Sequence, residues 1–479
     1  MYAGLSAARR RLLHRRVASV LEVAYADDLD AISGQNAIHF ERSGLPQQAI
    51  AYYQRAAGAA HRLSALEEAI DHLNRALALL KALPETSERT HQELALQIEL
   101  GAPLLATRGY AAPEVEQTFN RARELCQQIG NTPQLFRVLW GLGRFYLVRP
   151  RLETARALGE QMLAMAERAE DPNLLLEAHN SLGAFMFHLG EPVAACAHLE
   201  QGSALYDRQR HGAHALIYGQ DPGVVCLVRA AWALWILGYP DQAVERSRAA
   251  LALAYEVAHP FSLAFALSYT AVLYYFRREP HAAQEYTQAA VPLSTEHGFP
   301  LFLAMAAIMR DWVLREGGAL TKVDVQIRRD LATFRATGAE LGVPYFLGLL
   351  AETEGQAGRI ADGLSVLADA LAVMEQTEER WCEADLFRVH GELLLQQDAA
   401  AIEAEAWFHR AIEVARRQRA RSFELRATVS LSKLLRSRGR QAEARPMLAK
   451  IYTWFTEGFD TPDLIEARAL LEVLSSEPR

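Results

Sequence analysis

The feature that most constrains this chain is an apolar helix pair that recurs about every 40 residues. Each unit has an apolar helical stretch, a tight turn and a second helix built around small residues. A fixed period of roughly 34–47 residues is typical of helical-repeat proteins. The sequence therefore predicts an all-α fold, a right-handed superhelical solenoid of about eleven helix-turn-helix repeats. Segments that open on proline mark six of the units, at Pro133, Pro172, Pro222, Pro260, Pro300 and Pro344.

Small residues recur at fixed places in both helices of a pair, where a larger side chain would push the crossing helices apart. We expect them in the second helices at Ala155, Ala195, Ala243, Ala283, Gly363, Ala404 and Ala442. Their partners in the first helices are Gly143, Gly183, Ala231, Ala271, Ala351, Gly391 and Ser430. Glycines in the turns, such as Gly238, are expected in the left-handed conformation that ends a helix. Asp171 and Asp221 precede prolines and are expected to cap helix N-termini.

The repeats divide the chain into four predicted segments. Residues 1–30 form a helical linker, 31–130 irregular repeats, 131–460 regular repeats, and 461–479 a capping helix. The irregular part is expected to hold a helix pair over 39–60 and a helix over 65–80 with a shortened partner. Two further helices are predicted over 89–107 and 113–129, and the capping helix over 463–474.

Composition restricts the class of protein. The net charge of -8 argues against a nucleic-acid binder. The four cysteines form no CxxC pair, which favours a reducing cytoplasm over a disulfide framework. The start of the chain shows no secretory signal, and the most apolar stretches, 224–238 and 261–276, fall short of the ~20 apolar residues that a membrane span needs. We expect a cytoplasmic protein without membrane contact.

The sequence contains no recognisable catalytic motif. GxSxG, HExxH and GxxxxGK[ST] are absent, so we predict no catalytic residue, no cofactor and no resident metal. A long inter-repeat segment, Tyr206–Gly223, is the one place where metal ligands gather. Its HxxH pair and carboxylates could hold zinc, or the segment could contact a partner. The simplest interpretation is a surface loop with solvated histidines. The candidate contact residues are Tyr206, His211, His214, Tyr218 and Asp221.

The first helices should line the concave groove of such a solenoid. A protein, a peptide or a small effector is the partner expected there, because arginine with tryptophan and tyrosine is typical of binding hot spots. For Trp232 and Trp235 the alternative is packing between repeats. Burial of the arginines would require partner charges. The candidate groove residues are Arg137, Trp140, Arg144, Asn180, Phe187, Trp232, Trp235, Tyr275, Arg310, Tyr345 and Arg388.

Two arginine-rich stretches lie outside that groove. Arg9–Arg16 is interpreted as a solvated helix face or a docking surface for an upstream module. The stretch Arg416–Arg440 is locally basic and could touch nucleic acid or an acidic partner. Aromatic residues do not alternate with its arginines, so a solvated face is favoured.

The small-residue spacing resembles that of tetratricopeptide repeats, in a longer variety of about 40 residues. Longer runs resemble the C-terminal repeat region of large bacterial signalling ATPases, many of which carry a class III adenylate or guanylate cyclase domain upstream. The repeat region of maltose-operon activators is more distantly similar. The runs that carry the resemblance are HFERSGLPQQAIAYYQRA, LATRGYAAPEVEQTFNRARELCQQIG, YGQDPGVVCL, ALWILGYPDQAV and TWFTEGFDTPDLIEARALLEVL.

The resemblance implies a sensor or scaffold that acts with an ATPase module. The opening run YAGLSAARRRLLHRRVASVLE resembles the segment that joins such a module to its repeats, so the chain's own upstream ATPase is a possible partner. No phosphate-binding loop is present and no lysine precedes Lys81, so ATP binding is not implied for these residues. The alternatives are the C-terminal part of a cyclase- or kinase-linked enzyme and a transcription regulator whose remaining domains lie elsewhere.

Overall fold

The computed structural model describes residues 5–130, 133–316, 323–397 and 401–476. Within these ranges the regular structure is entirely α-helical. The N-terminal helices are α1 (Ala7–Ala24), α2 (Ser33–Ser43), α3 (Pro46–Arg62), α4 (Leu66–Lys81), α5 (Ser87–Arg108), α6 (Pro113–Ile129), α7 (Leu135–Val148), α8 (Leu152–Ala169), α9 (Pro172–His188) and α10 (Pro192–Leu205). Two short helices follow, α11 (Arg208–His211) and α12 (His214–Tyr218).

The remaining helices form successive hairpins and a final single helix. They are α13 (Pro222–Leu237), α14 (Pro240–Val257), α15 (Pro260–Phe276), α16 (Pro280–Glu296), α17 (Pro300–Glu316), α18 (Val323–Ala336), α19 (Val343–Gln356), α20 (Ile360–Thr377), α21 (Glu383–Leu395), α22 (Ala401–Gln418), α23 (Arg421–Ser437), α24 (Gln441–Tyr452) and α25 (Pro462–Ser476). The helical-repeat solenoid that the 40-residue period predicts is therefore confirmed.

Helix starts follow the local signals in the sequence. Prolines occupy the first position of α9, α13, α15 and α17, where the missing N–H costs nothing. The side chain of Asp171 accepts a hydrogen bond from the backbone N–H of Asn173, and that of Asp221 accepts one from Val224. Both predicted caps are confirmed. Gly238 ends α13 with φ of 96°, the left-handed conformation expected of it.

The small residues lie at the helix crossings. A Cβ on Gly183 would lie 2.5 Å from Leu199 Cγ of the partner helix, and one on Gly391 would lie 2.6 Å from Phe408 Cε1. These distances explain why the first helices carry glycine at those places. The small residue predicted for the core of α24 was wrong by half a helical turn. In α24 the buried small residue is Ala444, whereas Ala442 is exposed.

The N-terminal part differs from the prediction in one respect. The sequence predicts a shortened partner helix for α4. Among the described residues no such helix lies between the end of α3 at Arg62 and the start of α4 at Leu66. α4 packs directly on α3 and α5 instead. The predicted segment boundaries near residues 30, 130 and 460 stay predictions. Residues 1–4, 131–132 and 477–479, at the edges of those segments, lie outside the described residues.

Two compact units make up the chain. Unit 1 comprises Met1–Leu142 with Leu216–Gly219, and unit 2 comprises Gly143–Ala215 with Gln220–Arg479.

Unit 2 turns back on itself, so that early first helices meet much later ones. The last turn of a helix leaves backbone carbonyls without partners, and in unit 2 distant residues satisfy several of them. We call this line of contacts the seam. Val148 O accepts from Glu340 N at 3.0 Å, and His188 O accepts from Arg380 N at 2.9 Å. Trp235 O accepts from Ser422 Oγ, and Phe276 O accepts from the Arg426 guanidinium.

Candidate functional site

A cavity of about 280 Å³ lies inside unit 2, beside the seam. Its lining residues come from α15, α17, α19, α21, α23 and α25, with Arg278 just after the end of α15. The first five are the first helices of successive hairpins, the face that the repeat pattern assigns to the concave surface. The charged lining residues are Arg278, Arg315, Glu316, Glu352, Asp385, Arg388, Glu392, Arg426, Lys433, Asp463 and Glu466.

One side of the cavity is carried by α17, α19 and α21. Arg388 donates to Asp385 Oδ1 at 2.7 Å and to Glu392 Oε2 at 2.6 Å. Glu352 lies further away, 3.6 Å from Arg388 Nη2 and 3.7 Å from Arg315 Nη1. Burial alone would raise the pKa of Asp385, but the Arg388 and Arg426 guanidinium groups outweigh burial and lower that pKa. The Asp385 carboxylate therefore stays ionised near neutral pH.

A second side is carried by α23, α25 and Arg278, which follows the end of α15. Arg426 Nε donates to Asp463 Oδ2 at 2.8 Å, and Arg278 Nη1 lies 3.2 Å from Asp463 Oδ1. Glu466 accepts from Arg278 at 2.8 Å and from Lys433 Nζ at 2.5 Å. Burial opposes ionisation of Glu466, but hydrogen bonds from Lys433 and Arg278 lower its pKa. Arg278 and Lys433 are about half exposed, so this side is open to solvent.

The two sides differ in net charge. We define the acidic wall as Arg315, Glu316, Glu352, Asp385, Arg388 and Glu392. It carries two cations and four carboxylates, a net charge of -2. We define the basic wall as Arg278, Arg426, Lys433, Asp463 and Glu466, which carries three cations and two carboxylates, a net charge of +1. The two groups of side chains therefore offer a ligand opposite net charges.

Aromatic rings form part of the cavity surface and continue into the core. Tyr275 and Trp312 both line the cavity and meet edge to face, with ring centroids 4.7 Å apart. Behind them Tyr345 packs on Tyr275 at 5.7 Å and on Trp381 at 4.7 Å. Burial, together with the nearby Glu352 carboxylate, raises the pKa of Tyr275. The Tyr275 phenol is therefore neutral near pH 7. A neutral aromatic ring can attract a cation to its face.

The cavity brings together only two of the residues predicted for the groove, Tyr275 and Arg388. Phe187 and Trp232 lie deeper and pack with Trp381, at centroid distances of 5.4 and 6.2 Å. Trp235 stacks on a neighbouring phenylalanine ring at 4.9 Å. For both tryptophans the structure shows the packing alternative, since Trp232 and Trp235 are 7% and 2% exposed.

The other predicted groove residues lie apart from the cavity. In unit 1 Arg137 is half-buried and donates to Ile217 O at 3.2 Å, while Trp140 is buried. In unit 2 the structure buries Arg144 and Asn180 in the interior and not at a groove surface. Arg310 is exposed and lies 3.1 Å from Asp311 Oδ1 and 3.4 Å from Asp330 Oδ2.

The interpretation of Tyr206–Gly223 as a loop with solvated histidines was wrong. The segment contains α11 and α12, and both histidines are buried, His211 to 1% and His214 to 6% exposed. His214 Nδ1 lies 2.9 Å from Glu177 Oε1, a contact on another helix that no local pattern reveals.

The remaining residues of this predicted contact segment also have structural partners. The Tyr206 hydroxyl donates to Asp221 Oδ2 at 2.9 Å, and Asp221 also caps α13. Tyr218 belongs to unit 1, where its ring packs against Trp140 at 5.1 Å. Across the described part of the chain, no group of three or more His, Cys, Asp or Glu side chains is arranged to hold a metal ion.

The basic stretch Arg416–Arg440 is largely neutralised by neighbouring carboxylates. Arg416 donates to Glu424 at 2.7 Å, and Arg440 donates to Glu405 at 2.7 Å. These pairs agree with a solvated, internally paired face. No helix among the residues that the structure describes is both long and apolar enough to span a bilayer.

Sequence reasoning missed most of the cavity, although a signal was present. Charged residues recur at helical spacing along first helices that are otherwise apolar, as with Asp385, Arg388 and Glu392 on α21. On α23 the corresponding residues are Arg426 and Lys433, seven positions apart. Two turns of a helix place such residues on one face. Charges on the buried face of a helix therefore mark the cavity.

Comparisons with known proteins agree with this architecture. No family model matches the sequence. An uncharacterized protein of Rhizobium meliloti (strain 1021) is 23% identical over 437 residues, 91% of this chain. The chain spans 42% of the length of that curated relative.

Solved structures share the fold at low sequence identity. The Rap protein complexed with Competence and Sporulation Factor matches with a TM-score of 0.53 and 14% identity, over 83% of this chain and 99% of that one. A chain of the APC/C hetero-tetramer Cut9-Hcn1 matches with a TM-score of 0.50 and 12% identity, over 96% of this chain and 86% of that one. The chain is thus similar in fold to helical-repeat proteins of the tetratricopeptide type.

Proposed function

We propose that this chain is a non-catalytic helical-repeat module of a bacterial signalling protein, and that its cavity in unit 2 binds a peptide, a protein segment or a small effector. The observation that carries the proposal is the cavity itself. Six helices and the turn that holds Arg278 bring eleven charged side chains and two aromatic rings around one space of about 280 Å³. Buried ion pairs are costly to assemble and contribute little net stability, so a function in recognition explains them better than a function in folding.

The charges in the cavity suit binding better than catalysis. Arg388 and Arg426 are each engaged by carboxylates, and Glu392 accepts from both Arg388 and Ser430. Groups held in this way present fixed charges, whereas a catalytic acid or base requires a pKa near the working pH. The likeness in fold to the Rap protein, solved with Competence and Sporulation Factor, and to Cut9, solved with Hcn1, supports an interaction module.

The signalling context of the proposal comes from the sequence runs that resemble repeat regions of bacterial signalling ATPases. The longer curated relative supports a place within a larger protein, because the chain spans 42% of its length. In that arrangement the repeats sense a ligand and pass the bound state to a nucleotide-dependent module, either upstream in the same polypeptide or on a separate one.

A tryptophan at the cavity wall tests the proposed site. Gln356 lines the cavity and is exposed, so Gln356→Trp should obstruct it without disturbing the core. Gln288→Trp is the matched control, since Gln288 is exposed on the second helix α16. A pool of short synthetic linear peptides with free ends is passed over each immobilised variant of the full chain, and the retained peptides are quantified by mass spectrometry. Enrichment by the unmodified chain and the control, with loss in Gln356→Trp, supports the proposal. Equal enrichment by all three, or none by the unmodified chain, contradicts it.

A further inference from the structure

The charge distribution of the cavity identifies the chemistry of its ligand. We infer that the cavity binds a short linear peptide by its two charged ends, with the free α-amino group against the acidic wall and the α-carboxylate against the basic wall. This inference rests on the proposed function and makes it more specific. It assigns an orientation as well as a ligand class.

Glu352 is the carboxylate of the acidic wall with room for a further donor. Among the described side chains, none donates a hydrogen bond to Glu352, although Arg388 and Arg315 lie 3.6 and 3.7 Å away. Its side chain is 25% exposed and faces the cavity. An ammonium group brings three N–H donors and no acceptor, so it matches a wall with net charge -2. Tyr275, which also lines the cavity, adds an aromatic ring that can attract a cation.

The basic wall has more cations than carboxylates. Arg278 and Lys433 share Glu466, and Arg278 also shares Asp463 with Arg426. The side chains of Arg278 and Lys433 are 50% and 54% exposed, so N–H donors remain for an incoming anion. A carboxylate there would complete the pairing of three cations with three carboxylates.

The size of the cavity favours a short peptide. Its volume of about 280 Å³ lies at the lower end of the ~300–1000 Å³ typical of small-molecule pockets. The acidic and basic walls lie on different helices, so a ligand that reaches both must hold its two charges apart. A free amino acid carries the same two groups on one carbon, and a tripeptide holds them several bonds apart. The experiment distinguishes these two sources of the same chemistry.

The test uses a mixture of synthetic tripeptides in four forms, with both ends free, N-acetylated, C-amidated or both ends blocked. The immobilised full chain captures them at pH 7, where an α-amino group with a pKa near ~7.7–8.0 is mainly charged. Retained peptides are quantified by mass spectrometry beside the free amino acids. The best binder is then titrated calorimetrically against Glu352→Gln and Lys433→Met. Matched controls are Glu413→Gln and Lys450→Met, at exposed positions on second helices.

The inference predicts that blocking either end weakens binding about tenfold, equivalent to about 1.4 kcal/mol. Glu352→Gln should weaken binding of peptides with a free amino end and leave N-acetylated peptides unaffected. Lys433→Met should weaken binding of peptides with a free carboxyl end and leave C-amidated peptides unaffected. Both control variants should bind like the unmodified chain. If doubly blocked peptides are retained as well as free ones, and Gln356→Trp abolishes that retention, the inference is overturned but the cavity remains the binding site. Free amino acids bound as tightly as tripeptides also overturn it. No retention of any form, or retention unaffected by Gln356→Trp, overturns the proposed function as well.

Discussion

Replacing Gly238 with alanine tests the seam of unit 2 at one atom. Gly238 ends α13 with φ of 96°, a conformation that costs an L-residue about 1–2 kcal/mol. A Cβ there would lie 2.6 Å from Trp454 Cζ3, 2.8 Å from Arg421 Cβ and 3.2 Å from Phe455 Cε1. These atoms belong to residues far along the chain. The substitution therefore adds a steric conflict to the backbone cost, and over-packing of this kind costs about 1–3 kcal/mol.

Gly439→Ala is the matched control. Gly439 occupies the equivalent turn after α23, has φ of 72°, and a Cβ there would meet no atom within 4 Å. It should show the backbone cost alone, reduced by about 0.4–1 kcal/mol because alanine restricts the unfolded chain. The difference between the two variants isolates the seam contact. We expect Gly238→Ala to be less stable than Gly439→Ala by about 1–3 kcal/mol.

The assay is urea unfolding at equilibrium, followed by circular dichroism and by tryptophan fluorescence. Both glycines lie in unit 2, so both variants are compared on the transition of that unit. The urea concentration at the midpoint should fall more for Gly238→Ala. The slope of the unfolding free energy against urea concentration should be the same in both variants. An equal loss of stability in the two variants would refute the reasoning, because it would mean that Trp454 and Arg421 do not pack against this turn in solution.

Three further predictions follow from single residues. Gly391→Ala places a Cβ 2.6 Å from Phe408 Cε1 and should destabilise unit 2 by about 1–3 kcal/mol in the same urea assay. Glu379→Ala removes the buried carboxylate that accepts from Trp381 Nε1 at 2.7 Å, and should lower stability by about 2–4 kcal/mol with altered tryptophan emission. Burial lowers the pKa of His179 to about 4. The unfolded chain therefore binds the proton first, and stability should fall as pH drops from about 6.5 towards 4, less steeply in His179→Gln.

Local features were predictable from the sequence because their causes are local. A proline such as Pro260 fixes its own φ and lacks an N–H, so its effect on a helix start needs no distant partner. Gly183 and Leu199 belong to adjacent helices of one hairpin, and their close approach follows from the repeat period. The same reasoning placed Ala442 in the core instead of Ala444, because periodicity fixes a helix face only to within part of a turn.

The seam was not predictable from the sequence, because its partners are set by how far each repeat rotates on the one before it. Ser422 and Trp235 are separated by 187 positions, and nothing near either residue indicates the other. The buried His214 illustrates the same point, since its partner Glu177 lies on another helix. The cavity lies beside the seam, so its composition was also missed, apart from Tyr275 and Arg388.

The seam and the cavity share side chains, and that links them energetically. Arg426 donates both to Phe276 O at the seam and to Asp463 in the basic wall. A carboxylate bound at this wall therefore acts on groups that hold the seam closed, and the linkage is reciprocal. The amide N–H of Arg380 reports on seam closure, since it donates to His188 O at 2.9 Å and Arg380 lies outside the cavity lining. A tripeptide that binds the cavity should slow hydrogen exchange at this amide by the factor (1 + [L]/Kd) if exchange requires an opening that also releases the ligand. Unchanged exchange at saturating peptide would show that the seam opens without disturbing the basic wall.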